Sequence, residues 1–230
     1  FATDNREDWR SAMADSLFEE MVEIPTGSAV LHGDLRVPPR ATGLVIFAHG
    51  SGSSRFSARN RKVAASLEMR GFATLLLDLL TPEEESVDLY TSEHRFDIPR
   101  LGERVTAAAE WAKTVPQISE LPCGVFGAST GAGAALVAAA ARPDLVRAVV
   151  SRGGRPDLAG AALARVAAPT LLIVGSADQP VVELNRQALR RIPAESKLQI
   201  VSGAGHLFEE PGTLEEVERL AGDWFEQYLD

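Results

Sequence analysis

The octapeptide Gly124-Val125-Phe126-Gly127-Ala128-Ser129-Thr130-Gly131 joins an apolar run to an alanine-rich one. Gly124 to Phe126 reads as the end of a buried strand, and Gly131 to Ala141 has the composition of a helix. Between them a serine sits on a sharp strand-to-helix turn with a glycine two residues to either side. Glycine lets neighbouring backbone pack close to such a turn. The serine hydroxyl then projects at the upper edge of the sheet, over a helix N-terminus that favours developing negative charge. G-x-S-x-G alone arises by chance; the strand before it and the helix after it give it weight.

Outward from this point the same alternation recurs. Leu44 to Phe47 is a continuous apolar run ending in Ala48-His49-Gly50, and Phe72 to Leu77 is another, ending at Asp78. Ala148 to Val150, Thr170 to Val174 and Leu198 to Val201 follow. Unbroken apolar runs indicate strands buried on both faces, as in a parallel sheet. Helical patterns lie between them, over roughly Ala58–Arg70, Ile98–Thr114, Gly131–Ala141, Val181–Arg191 and Leu214–Tyr228. Strands alternating with helices predict right-handed βαβ units and a three-layer α/β fold. Ahead of them, Met21 to Ile24 and Ala29 to Val37 flank a Thr-Gly turn and predict a β-hairpin. A hairpin followed by βα units predicts a mixed, eight-stranded, mostly parallel sheet flanked by helices. Asp4 to Glu20 reads as an amphipathic helix, an N-terminal extension over residues 1–20. No composition shift marks a boundary, so residues 1–230 are expected to form one domain. The least regular piece, Thr81 to Arg95, reads as an acidic loop. It is expected to be either a solvated surface loop or, because it follows a strand's C-terminal end, where α/β sites lie, a lid over residues 81–97.

The 230 residues are 45% hydrophobic and 24% charged, values of an ordinary globular chain rather than a disordered or fibrous one. A chain this long buries roughly 70–75% of its unfolded surface, so it folds without disulfide or metal. The net charge of −9 repels phosphate backbones and argues against a nucleic-acid partner. Cys123 is the single cysteine, so no intrachain disulfide and no cysteine-based metal site is available. The first ten residues, FATDNREDWR, hold no apolar core of a signal peptide. The longest small-apolar stretch, Ala132 to Ala141, is far short of the roughly 20 residues needed to span a bilayer. No membrane partner and a cytoplasmic location are therefore expected.

A serine is a poor nucleophile without a base. Of the four histidines, His206 lies in Gly203-Ala204-Gly205-His206-Leu207, just after the last apolar run. Loops at strand C-terminal ends share one face of the sheet, which brings His206 towards Ser129. The imidazole needs an orienting carboxylate, and Asp178 follows the Thr170–Val174 run in Gly175-Ser176-Ala177-Asp178. Glu209 and Glu210 follow His206 too closely to support its ring. The order Ser129, Asp178, His206, each after a strand, is far more specific than any one residue. For the oxyanion, the Thr130 N–H directly after the nucleophile is one expected donor. The other is expected from His49-Gly50-Ser51-Gly52-Ser53-Ser54, with the Ser51 N–H preferred and Gly52 second. His49 is expected to hold loop backbone; His32 and His94 are expected to be incidental.

Arg55, Arg59 and Arg152 each follow a strand on the same face. They are expected either to bind a carboxylate or phosphate on the substrate or to be paired structurally, with Glu83 to Glu85, Glu93 and Asp97 as candidate partners. Dinucleotide and P-loop fingerprints and His-Glu-x-x-His are missing, and four scattered histidines offer no metal cluster, so neither metal nor cofactor is expected.

Together these residues resemble the α/β-hydrolase superfamily and, within it, the dienelactone hydrolase family. The resemblance covers nearly the whole chain from the hairpin onward, and is carried by His49-Gly50-Ser51-Gly52, Gly127-Ala128-Ser129-Thr130-Gly131, Asp178 and His206. It implies no cofactor and hydrolysis of small esters or lactones, the small-molecule partner expected here. Dienelactone hydrolases proper have a cysteine nucleophile where Ser129 stands, a departure that points to a serine esterase. The same three residues would also serve acyl transfer, thioester cleavage, or a binding protein with little turnover. The sequence is further similar to hydrolase-like domains fused to phosphoribosyltransferase domains; no such domain is expected in these 230 residues.

Overall fold

The computed structural model describes residues 16–27 and 29–230. Among them eight strands form one sheet: β1 (Phe18–Thr26), β2 (Ala29–Val37), β3 (Gly43–Ala48), β4 (Phe72–Leu77), β5 (Cys123–Ala128), β6 (Val146–Arg152), β7 (Thr170–Gly175) and β8 (Ser196–Val201). Their spatial order is β1-β2-β4-β3-β5-β6-β7-β8. The hairpin strands β1 and β2 pair antiparallel, as do β2 and β4. Every other pairing is parallel. Strands β3, β4, β5 and β7 are buried at every position, which is why their sequences read as unbroken apolar runs.

Among the described residues six α-helices accompany this sheet: α1 (Ala58–Met69), α2 (Pro82–Thr91), α3 (Ile98–Ala112), α4 (Thr130–Ala141), α5 (Gln179–Leu189) and α6 (Thr213–Leu229). Alternate strand residues feed two cores. Leu44 and Ile46 of β3 join Leu101, Val105 and Leu136 of α3 and α4 on one face. Val45 and Phe47 join Val63, Leu67, Val217 and Phe225 of α1 and α6 on the other. Helix α4 is buried on nearly every side, which fits its composition of Ala, Gly, Leu and Val. Two helical layers therefore enclose the sheet, three layers in all, as expected from the alternation of strands and helices.

Three expectations need correction. Phe18 to Glu20 belong to β1, not to an N-terminal helix; the rest of that expected helix, up to Asp15, lies outside the described residues. Val22 and Ile24 turn inward while their neighbours face water, the alternation of a half-buried strand. Thr81–Arg95 is not a loop. Its Pro82–Thr91 part is helix α2, opened by a capping box in which the Thr81 hydroxyl accepts the Glu84 N–H and Glu84 accepts the Thr81 N–H. Strand β8 is an edge strand with several exposed positions rather than one buried on both faces. A 3-10 stretch, Pro156–Arg165, was not expected at all.

Candidate active site

The turn after β5 places Ser129 at φ 51° and ψ −120°, an uncommon backbone for a residue with a side chain. It is held there by its neighbours. The Ser129 N–H donates to the Arg152 carbonyl at 3.2 Å, and its own carbonyl accepts the Ala132 and Arg155 N–H groups at 3.1 and 3.0 Å. Gly131 must be glycine, because a Cβ there would sit 2.2 Å from the Ala48 carbonyl oxygen. The helix begins directly beneath the serine, and Ser129 makes no side-chain cap, leaving its hydroxyl for other partners.

Asp178 and His206 arrive on two loops stitched together through backbone. The Ser176 N–H donates to the Val201 carbonyl and the Ala177 N–H to the Ala204 carbonyl, both at 2.9 Å. Gly175 allows this closeness, since a Cβ there would lie 2.3 Å from the Ala204 carbonyl oxygen. Further along, the Glu210 carboxylate accepts the Gly205 N–H at 3.0 Å and bends the chain that presents His206. That backbone donor, the largest influence, lowers the Glu210 pKa.

These loops bring the three expected residues together. His206 Nδ1 lies 2.6 Å from Asp178 Oδ2. A carboxylate only accepts, so Nδ1 carries the proton. His206 Nε2 is then the acceptor, and the Ser129 hydroxyl lies 3.3 Å from it. Glu209 and Glu210 do not compete for the ring: Glu209 pairs with Arg59 at 3.2 Å and Glu210 takes the Gly205 N–H.

The oxyanion expectation needs refinement. Thr130 is buried at the first position of α4, where an N–H has no helical partner. Ser51 is brought next to it across 79 residues, but its N–H already donates to Thr130 Oγ1 at 2.8 Å. Sequence spacing places the loop; it does not reveal a hydroxyl beside the donor. His49 is structural, as expected. Its Nε2 accepts the Leu79 N–H at 3.0 Å and its Nδ1 donates to the Gly50 carbonyl at 2.8 Å. Burial keeps this ring neutral by pushing its pKa down. His94 accepts from Arg100 at 3.1 Å.

Beside the elbow opens a cavity of about 280 Å³. Leu79, Leu80, Leu89 and Leu101 give it apolar walls, the Gly50–Ser54 loop and Thr130 its inner end, and Glu85, Asp88 and Arg95 a charged rim. Residues of α2 thus wall the cavity; the segment's helical form was missed, and the Thr81-Pro82-Glu83-Glu84 capping signature was the available signal. Burial, the largest cause, raises the Glu85 carboxyl pKa, with Asp78 nearby acting in the same sense.

The arginines divide. Arg55 does not reach the cavity. Its guanidinium is held by Asp34 and Asp78, and its backbone N–H donates to Asp78 Oδ1 at 2.7 Å. Its expected substrate role is withdrawn, and its partners are not the acidic residues of α2. Arg152 lies near Phe208, with the charge of Arg59 close by, on the face of the sheet opposite the cavity's leucines. Cys123 is buried and its thiol is pushed up to about 12 by burial. No helix among the described residues is long and apolar enough to cross a membrane.

An eight-stranded, mostly parallel sheet with a strained serine at the β5–α4 turn defines an α/β hydrolase. The chain belongs to the dienelactone hydrolase family, whose model matches residues 29–230. A dienelactone hydrolase structure from Anabaena variabilis is 55% identical, with TM-score 0.91, over 93% of this chain and 99% of that one. An esterase structure from Pyrococcus furiosus shares the fold at 18% identity and TM-score 0.76, over 100% of this chain and 98% of that one. Two curated Mycobacterium tuberculosis proteins, provisionally named phosphoribosyl transferases, are 57% identical over 93% of this chain. The chain spans about half of their length, 47%.

Proposed function

We propose that this hydrolase is a serine esterase that cleaves small carboxylic esters or lactones through an acyl-enzyme on Ser129. The observation that carries the reading is the chain of two contacts from Asp178 to His206 and from His206 to the Ser129 hydroxyl. In this scheme His206 Nε2 takes the Ser129 proton as Oγ attacks the ester carbonyl. Asp178 fixes the tautomer and stabilises the imidazolium that forms. The Thr130 N–H, at the positive end of α4, receives the oxyanion. The Ser51 N–H joins it when the Thr130 hydroxyl turns away; one such donor is typically worth about 10²–10³ in rate. His206 returns the proton to the leaving alcohol, and water, activated by the same ring, hydrolyses the acyl-enzyme.

The leucine-walled cavity supports a short apolar acyl or alcohol group beside the reacting carbonyl. A cytoplasmic setting goes with this reading, supported by a lone, buried cysteine. The provisional name of the curated relatives belongs to chains about twice this length, and phosphoribosyl transfer is not what these three residues favour. The test is a panel of p-nitrophenyl esters from acetate to octanoate, with a fluorophosphonate probe. Wild type should turn over the shorter esters and be labelled at Ser129. Turnover or labelling that survives unchanged in Ser129→Ala would overturn the reading.

A further inference from the structure

Arg152 is 6% exposed at the end of β6, on the side of the sheet covered by α1 and α6. A buried guanidinium is costly unless a carboxylate compensates it, and among the described residues none is in contact with it. Its Nη2 donates to the neutral Asn60 Oδ1 at 3.3 Å, and its Nε has no protein acceptor. The Phe208 ring lies 5.9 Å away. Burial, and then the nearby positive charge of Arg59, push the Arg152 pKa down to about 10.

Arg59 adds to the imbalance. Its Nε is buried without an acceptor, while its Nη1 reaches the exposed Glu209 carboxylate at 3.2 Å. Arg59 and Asn60 stand in the first turn of α1, a 12-residue helix with no acidic residue in that turn. Cations are unfavourable at this end of a helix, which carries partial positive charge; here the Ser57 hydroxyl accepts the Asn60 N–H at 3.4 Å, which leaves the Ala58 and Arg59 N–H groups to face a ligand. Two guanidiniums and a helix N-terminus thus converge, with one exposed carboxylate against them. Their unused donors form the pattern that recognises an oxyanion.

We propose that Arg152, Arg59 and the first turn of α1 form a seat for a small oxyanion, a phosphate or carboxylate group. The seat adjoins the elbow, because the Arg152 carbonyl is the acceptor of the Ser129 N–H. It lies on the opposite face from the leucine-walled cavity, so Ser129 stands between that cavity and a pair of guanidinium groups, that of Arg152 buried. An anion arriving there completes the hydrogen bonding of both Nε atoms.

Binding to this seat does not require ester cleavage and is read equally in Ser129→Ala protein, so its failure and that of the esterase reading are separable. Melting temperature is compared in sodium phosphate and in sodium chloride at matched ionic strength. Phosphate several-fold above its Kd raises the wild-type Tm by about 2–4 °C over chloride. Arg152→Gln and Arg59→Gln lose most of that rise. Arg59 is partly exposed, so its variant keeps the test decisive if Arg152→Gln does not fold. Equal melting of wild type in the two salts, or a rise that persists in Arg59→Gln, overturns the seat. Two esters then separate the sources of the anion: p-nitrophenyl acetate and the mono-p-nitrophenyl ester of succinate. A tenfold preference in kcat/KM for the charged ester that Arg59→Gln removes makes the anion part of the substrate. A phosphate rise with no such preference makes it a free anion held at the same seat.

Discussion

The edge of the sheet that carries Ser129, Asp178 and His206 and the segment Thr81–Asp97 that walls the cavity are built by different means. The first is held chiefly by backbone, helped by the Ser176 hydroxyl on the Gly203 N–H and the Glu210 carboxylate on the Gly205 N–H. Ser129 hangs from the Arg152 carbonyl, and the Asp178 and His206 loops are joined main chain to main chain. The second is held by charged side chains. Glu84 binds Arg100 and Arg104, and Asp88 binds Arg95 and the N–H groups of His94 and Arg95. It also leaves Leu89 and Tyr90 largely in water. Backbone hydrogen bonds do not titrate, and they fix reacting atoms to the tolerance that chemistry demands. Ion pairs depend on protonation, and an element held by them can be re-tuned without disturbing the sheet. Damage to the first region should therefore abolish rate at constant stability, and damage to the second should change stability first.

The hardest test of this contrast is Ser129→Ala. It removes one hydroxyl from the backbone-held edge and should lower kcat by about 10⁴–10⁶ while Tm barely moves. A parallel loss of Tm would show that the edge is less self-sufficient than its hydrogen bonds imply. Asp178→Asn comes next. It keeps the shape but favours the wrong tautomer of His206, and should cost about 10⁴ in kcat. Near-normal activity there, with Glu209→Gln inactive, would move the orienting role to Glu209.

In the charged segment the effect should be on stability. Burial alone would raise the Glu84 pKa; Arg104, the Thr81 N–H and Arg100 outweigh it and bring the carboxyl from 4.5 to about 2. A carboxyl lowered in the folded state stabilises fully above its unfolded pKa. That contribution is lost as pH falls through the window from about 4.5 to about 2. It amounts to roughly 3 kcal/mol at neutral pH. Glu84→Gln should therefore lower Tm by several degrees at pH 7, and its Tm should fall less than wild type's between pH 5 and pH 3. Equal pH slopes would show that the pairs around Glu84 do not hold the segment. The smallest effect is expected from Thr130→Val, which frees the Ser51 N–H. The kcat/KM for p-nitrophenyl acetate should rise by less than tenfold; a hundredfold fall would make the Thr130 hydroxyl itself a participant.

What sequence reading recovers follows the same division. Strand burial and helix composition are local properties, so β3 to β7 and five of the helices stand close to their expected limits. The three residues of the site are legible because each follows a strand, and the sheet fixes which ends meet. Phe18 to Glu20 mislead because a half-buried strand end in a charged context mimics an amphipathic helix. Helix α2 is missed because its stability resides in a cap and in Arg100 and Arg104, 16 and 20 residues away from Glu84. The partners of Arg55, Asp34 and Asp78, lie 21 and 23 residues away, on β2 and just after β4. No periodicity encodes such meetings, and the 79-residue contact between Ser51 and Thr130 is of the same kind.

The backbone of Ser129 carries a consequence for anyone who selects this protein for robustness. A non-glycine residue at φ 51° and ψ −120° costs on the order of 1–3 kcal/mol. Glycine would relieve that cost while losing about 0.5–1 kcal/mol of its own in unfolded-state entropy. Ser129→Gly should therefore melt above the wild type, and a directed-evolution campaign that rewards survival of heating alone would discard the proposed nucleophile early. Heat tolerance and turnover compete here at one pair of dihedral angles, so any such campaign has to keep a substrate in its screen.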